Sequence, residues 1–408
     1  MKRTRPLSKV LLYSHDTYGM GHLRRNLAIA RQLLEGPAGT RVVLATGSPV
    51  LDRVARPAGL VCVQLPPVVK TGCDEYRSLE NNVSLSLVGR ARSAVLSDIV
   101  IRWQPDALLV DHAPHGMKGE LLAVFDTLRS RSPQTKVVLG LRDILDEPAQ
   151  VRATWEAEGI YDTLNTVYDR VVVYGDRNVF DLARSYGIPE PLASRVEYCG
   201  YVTGGRPERT IRPTGLSADG DFVLGTVGGG GDGVDVLIAT VHAAIAAGLE
   251  AVLCTGPLMS DSDRRLLHDV TEGRPGIMVV EHLTDLAAVA NGARCVVTRG
   301  GYNTLCELIN LAVPTVVVPR VWPRQEQLLR SRAFAERGLV RLVEPNDEAL
   351  IPAVTAAVAD AISSAGGVRH ELDLDGARRV VASLTRSVYQ PRVANFAVWD
   401  DLTRMIPA

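Results

Sequence analysis

A chain of 408 residues exceeds what one ordinary hydrophobic core serves, so two domains are expected. Its 46% hydrophobic and 22% charged residues are those of a soluble globular protein, and a formal net charge of −1 argues against a generic nucleic-acid binder, which needs a basic face. No apolar run has transmembrane length, and the six cysteines (62, 73, 199, 254, 295 and 306) form no CxxC, so the expectation is buried free thiols in a reducing cytoplasm.

Lys2, Arg3, Arg5 and Lys9 precede the apolar run 10–13, but Ser14, His15 and Asp16 interrupt it, so this is a strand entering the fold rather than a signal peptide. Further strands are expected at 41–46, 60–64, 107–110, 136–139 and 170–174, with helical patterns at 23–34, 79–103 and 119–130. A polar segment bearing Pro and Gly, near 203–220, separates a second series of strands: 222–226, 250–254, 277–280, 295–298, 315–318 and 340–343. Such alternation implies an α/β protein with parallel strands and crossover helices. We expect two Rossmann-like domains facing across a cleft, an N-terminal one at 1–205 and a C-terminal one at 219–375. The stretch 376–408 has helical character with a break at Pro391, and it is open to crossing back onto the first domain.

Ligands of open parallel sheets sit beyond the carboxyl ends of the strands. After the first strand come Ser14 to His22, with Gly19 and Gly21, and then a helix. The third glycine of a dinucleotide fingerprint is missing there. His22, at the helix N-terminus, suits a general base as well as it suits a capping residue. Asp111, closing the strand at 107–110, could orient that imidazole or could simply bond the turn ahead of Pro114. His112 and His115 lack the acidic partner that a metal site would need. They join His15, Tyr18, Arg142 and Asp143 as candidates for lining an acceptor site, and no metal is expected. The segment 65–90 reads as an acceptor loop.

In the second half, Gly228, Gly229, Gly230 and Gly231 leave a strand toward a helix, where backbone can approach a phosphate closely. No Lys-Ser/Thr follows, so this is not a P-loop for triphosphates. His282 and Leu283 leave the next-but-one strand, where backbone could border a nucleobase edge. The run Arg299-Gly300-Gly301-Tyr302-Asn303-Thr304 leads into a helix, placing Asn303 and Thr304 where free N–H groups await an anion. Glu307 lies one turn deeper and suits a ribose diol, although Thr304 with Glu307 reads equally as a capping box. Glu326 and Gln327 form a carboxylate–amide pair that could both accept from and donate to a polyol.

Together these residues resemble the GT-B glycosyltransferases, in particular the MurG-like family 28 branch and the family 1 enzymes of specialised metabolism. Family 1 carries H-C-G-W-N-S-x-x-E, then G-V-P, then D-Q; this chain has R-G-G-Y-N-T-x-x-E, A-V-P and E-Q. The resemblance implies that Gly228–Gly231, Arg299, Gly301, Asn303 and Thr304 hold a diphosphate, Glu307 the ribose, and Glu326 with Gln327 the donor sugar. It puts His22 at the base position, with Asp111 as its partner. Arg299 stands where family 1 has histidine, and no tryptophan near His282 matches the one that stacks on uracil.

The activity so implied is inverting, metal-independent transfer from a UDP, GDP or dTDP sugar, as co-substrate, to a small-molecule acceptor of specialised metabolism. No other cofactor, no nucleic acid and no membrane span is expected, and a homodimer is left open. The rivals are a UDP-sugar 2-epimerase of the same fold and a non-catalytic nucleotide-sugar-binding protein. An NAD oxidoreductase lacks its complete G-x-G-x-x-G here.

Overall fold

The computed structural model describes residues 7–15, 21–36, 39–70, 76–79, 83–190, 192–218, 220–345, 349–364 and 371–392. Tyr18 lies outside them. The chain divides into two compact units, Met1–Thr203 with Leu372–Ala408, and Gly204–Glu371.

The first unit runs β1 (Lys9–Ser14), α1 (Gly21–Glu35), β2 (Arg41–Thr46), β3 (Val61–Gln64), β4 (Val68–Lys70), β5 (Tyr76–Ser78), α2 (Leu85–Trp103), β6 (Ala107–Asp111), α3 (Leu122–Arg131), β7 (Lys136–Arg142), α4 (Pro148–Ala157), α5 (Ile160–Thr166), β8 (Arg170–Tyr174), α6 (Leu182–Ser185) and β9 (Val196–Tyr198). Its seven-stranded sheet has the order β3-β2-β1-β6-β7-β8-β9, all parallel. The central strands are apolar on both faces, as strands covered on both sides by helices must be. Strand order reverses between β1 and β6, where Ser14 pairs with Asp111 at the carboxyl ends. Residues 65–90, expected as a loop, contain the β4–β5 hairpin and the start of α2, whose Ser84 side chain caps the helix by accepting from Leu87 N–H.

The second unit contains β10 (Phe222–Thr226), α7 (Val234–Ala246), β11 (Glu250–Cys254), α8 (Asp261–Thr271), β12 (Ile277–Val280), α9 (Leu286–Ala290), β13 (Cys295–Thr298), α10 (Tyr302–Leu311), β14 (Thr315–Val317), α11 (Glu326–Ala335), β15 (Arg341–Leu342) and α12 (Leu350–Ser363). The order of its parallel sheet is β12-β11-β10-β13-β14-β15, with the reversal between β10 and β13. Side chains alternate between the two faces. Val223, Val297 and Val316 pack with Leu237, Val354 and Val358 of α7 and α12, whereas Leu224 and Val296 pack with Leu308 and Val289 of α10 and α9.

A last helix, α13 (Gly376–Tyr389), belongs to the first unit. Tyr201 N–H donates to Asp373 O at 2.8 Å and Gly376 N–H to Tyr201 O at 3.0 Å. Farther along, Ser383 donates to Glu197 at 2.7 Å and Arg170 reaches Ser387 at 3.2 Å. These bonds tie the end of the described chain to β8 and β9.

Candidate functional site

In the first unit the reversal of strand order gathers five of the expected residues and one that was not expected. His22 Nδ1 lies 2.6 Å from Asp111 Oδ2, and the Asp111 side chain is fully buried. Arg25 closes on the same carboxylate with both arms, Nε to Oδ1 at 3.0 Å and Nη2 to Oδ2 at 2.7 Å. Nη2 also sits 2.9 Å from His22 Nδ1. A guanidinium offers only donors, so Asp111 is the acceptor that both share. With Nδ1–H given to Asp111, the lone pair of His22 is on Nε2, the tautomer a general base needs. Burial opposes ionisation of Asp111, yet the Arg25 charge and the His22 bond outweigh it and hold the carboxyl well below the usual carboxylate range.

Arg25 follows His22 by one helical turn, a spacing that puts both on one face. Its guanidinium stacks over the Tyr174 ring at 5.0 Å. That ring needs Gly140 opposite, where a Cβ would stand 1.8 Å from the Tyr174 hydroxyl. The rings of His15 and His112 complete the group, 4.6 and 5.2 Å from His22. Desolvation pushes both far below the ordinary histidine value, so both are neutral at neutral pH. His112 adopts φ +72°, a strained backbone for a residue with a Cβ. Arg142 Nη2 lies 3.5 Å from His112 Nε2.

His115 and Asp143 have partners outside this group. His115 Nε2 meets Thr163 Oγ1 of α5 at 2.7 Å, and burial lowers its basicity to about 4. The buried Asp143 carboxylate accepts from Ile144 N–H at 2.7 Å. A further buried set, Arg92, Glu120 and Tyr13, was not foreseen. Arg92 Nε donates to Glu120 Oε2 at 2.5 Å, Tyr13 donates to Glu120, and Arg92 Nη1 reaches Pro66 O at 2.9 Å. Four well-separated stretches meet there, which no local pattern announces.

In the second unit the loops after β10 and β13 leave neighbouring strands, with Thr226 paired to Thr298. Gly230 has φ +82°, and a Cβ there would lie 2.0 Å from Thr255 O; Gly228 and Gly231 border open space. The glycine loop is thus pressed on one side by the Thr255–Gly256 turn and open on the other. Helix α10 begins at Tyr302 with Gly301 as N-cap and no side-chain cap bond. This removes the capping-box reading: Thr304 is inside the first turn, and the opening N–H groups have no partner within the helix. Arg299 Nη2 donates to Asp235 Oδ1 at 2.8 Å, and its buried Nε has no partner among the described residues.

Glu326 and Gln327 open α11, and both already have protein partners. Glu326 Oε2 accepts from the buried Arg330 at 2.8 Å, and Gln327 Oε1 accepts from Arg320 N–H at 3.1 Å. Arg330 in turn stacks over Tyr302 at 5.3 Å. Glu307 is half-buried on α10, His282 is exposed, and the Leu283 side chain packs into the apolar cluster beside β12. Asp285 caps α9 by accepting from Ala288 N–H at 2.9 Å. Among the described residues, no three His, Cys, Asp or Glu side chains are arranged to hold a metal ion.

Residues 226–363 match the glycosyltransferase family 28 C-terminal domain. The UDP-N-acetylglucosamine--N-acetylmuramyl-(pentapeptide) pyrophosphoryl-undecaprenol N-acetylglucosamine transferase of Corynebacterium efficiens is 26% identical over 330 residues, 80% of this chain and 81% of that protein. Among solved structures, the glycotransferase of kitacinnamycin is 17% identical with a TM-score of 0.57, over 99% of this chain and all (100%) of that one. A putative UDP-N-acetylglucosamine 2-epimerase from Listeria monocytogenes is 12% identical with a TM-score of 0.64, over 95% and 98% of the two chains. The two doubly wound sheets and the solved structures make the fold GT-B, and the domain match with the Corynebacterium relative makes the chain a glycosyltransferase. The match over residues 226–363 sets its second unit among family 28 C-terminal domains.

Proposed function

We propose that the chain moves a sugar from a nucleotide-diphosphate donor to a small-molecule acceptor, with inversion and without a metal ion. The observation that carries this reading is the His22–Asp111 contact, closed by Arg25, where strand order reverses in the first unit. His22 Nε2 takes the proton of the acceptor as that atom attacks C1 of the donor sugar. Asp111 steadies the imidazolium that results. The bond from C1 to the diphosphate oxygen breaks, and its electrons leave with the diphosphate. The N–H groups of the glycine loop, the first turn of α10 and Arg299 receive that charge, a preorganised arrangement in which one donor is commonly worth ~3–4 kcal/mol. Glu307 is assigned to the ribose. Glu326 and Gln327 are assigned to the donor sugar.

The Corynebacterium relative is named for UDP-N-acetylglucosamine, which makes UDP the first nucleotide to try. The test follows UDP release from UDP-N-acetylglucosamine with and without a panel of hydroxyl-, amine- and thiol-bearing acceptors. Acceptor-dependent release supports transfer, and turnover of the sugar without acceptor favours the epimerase reading. His22→Ala is expected to lower turnover by about 10²–10⁴-fold with nucleotide binding intact. Unchanged turnover at saturating acceptor rejects His22 as the base.

A further inference from the structure

The glycine loop after β10 sets a problem for an anion. Asp232 lies in it, and Asp235 lies in the first turn of α7, so two carboxylates stand beside the groups proposed to take a diphosphate. Like charges repel. Each carboxylate is matched by an arginine from across the reversal of strand order, Asp235 by Arg299 after β13 and Asp232 by Arg320 after β14.

The two pairs differ. Arg299 is 13% exposed, whereas Arg320 and Asp232 are 39% and 37% exposed. Arg320 meets Asp232 fork to fork, Nε to Oδ2 at 2.8 Å and Nη2 to Oδ1 at 2.5 Å. The same fork fits two oxygens of a phosphate. Each partner is more than a third open to water, so solvent can take up the carboxylate as a phosphate takes its place at the fork. The backbone of Arg320 is held independently by Gln327, through the 3.1 Å bond to Oε1. The main chain that carries the guanidinium is therefore anchored apart from Asp232, and the fork can pass from carboxylate to phosphate without a shift of the backbone.

We infer that Arg320 is a ligand of the donor diphosphate and that Asp232 is its placeholder. In the unliganded protein the carboxylate takes the two N–H bonds that phosphate oxygens take on binding, and Asp232 then turns to water. This rests on the donor reading above.

Isothermal titration with UDP, GDP and dTDP, and with the nucleoside of whichever binds, tests both levels. Arg320→Gln is expected to weaken the diphosphate about tenfold or more, as loss of a charge-assisted pair implies, and to leave the nucleoside unchanged. Arg320→Lys, which keeps the charge and loses the fork, falls between the wild type and Arg320→Gln, and gives the readout if Arg320→Gln does not fold. Asp232→Asn, which removes the competitor, binds the diphosphate about three- to fivefold more tightly. The inference is overturned if Arg320→Gln binds as the wild type does, if it loses nucleoside and diphosphate equally, or if Asp232→Asn binds more weakly. A wild type that binds none of the three diphosphates overturns the donor reading itself, and this inference with it.

Discussion

Arg25 shows how much of the proposed catalytic geometry rests on one side chain that does no chemistry. It is 2% exposed, gives two bonds to Asp111 and stacks on Tyr174. Removing it leaves a buried carboxylate with His22 as its one remaining partner in the trio. Breaking a buried pair from one side commonly costs ~3–5 kcal/mol, because the surviving charge is uncompensated. Arg25→Met is therefore expected to lower the midpoint of urea unfolding and to cut turnover more than about tenfold. Adding Asp111→Asn should recover part of the stability and none of the turnover, since residues in contact are not additive. A double variant whose stability loss equals the sum of the two single losses would disprove the coupling. The sequence offered a signal for Arg25, its one-turn spacing from His22. Arg320 offered none, because its partner Asp232 is 88 residues away.

At the level of elements most strands were legible, the short β14 and β15 included, whereas β4, β5 and β9 were not. Strands β2, β8, β10, β11, β12 and β13 lie at the expected residues, because buried parallel strands read as apolar runs with polar ends. The hairpin β4–β5 and strand β9 have three residues each, too few for a period to show. The start of α10 was ambiguous in sequence because Thr304 and Glu307 fit a cap, and the structure places the cap at Gly301. That choice leaves the first turn open to an anion, together with the glycine loop beside it. Two neighbouring substitutions separate the structural from the binding role of that loop. Gly230→Ala sets a Cβ 2.0 Å from Thr255 O at φ +82°, and should destabilise the fold by about 1–3 kcal/mol. Gly231→Ala meets nothing within 4 Å, so its melting temperature should stay at the wild-type value. Its donor affinity should still fall, because a methyl group there occupies space that the diphosphate needs. Wild-type donor affinity in Gly231→Ala would take the phosphate away from this loop.

For the molecule as a whole, the sequence announced two sheets, and each has its own reversal of strand order with the candidate residues behind it. Of the buried polar connections between distant stretches, His22 with Asp111 was announced and Arg92 with Glu120 and Tyr13 was not. Three histidines of the first unit, His15, His112 and His115, are held by burial well below the ordinary histidine value. These make stability depend on pH. In the unfolded chain each histidine binds a proton below about 6.5, while in the folded chain it resists protonation, so unfolding takes up protons and acid favours it. The stabilisation is complete above the unfolded value and is lost as pH falls toward the folded one. For His115 that window runs from 6.5 down to about 4. A shift of that size is worth up to about 3 kcal/mol at the acid end. Urea unfolding followed from pH 7.5 to 4.5 should therefore show a falling midpoint. The carboxylates paired in the fold, Asp111 among them, add their own loss at lower pH. His115→Gln can still bond Thr163 and has no charge to gain, so it should flatten the curve between pH 6.5 and 4.5 while leaving the neutral-pH midpoint within about 1 kcal/mol of the wild type. A variant whose curve runs parallel to the wild type over that range would show that His115 is protonated in the folded protein at no cost, and that burial against α5 does not govern it.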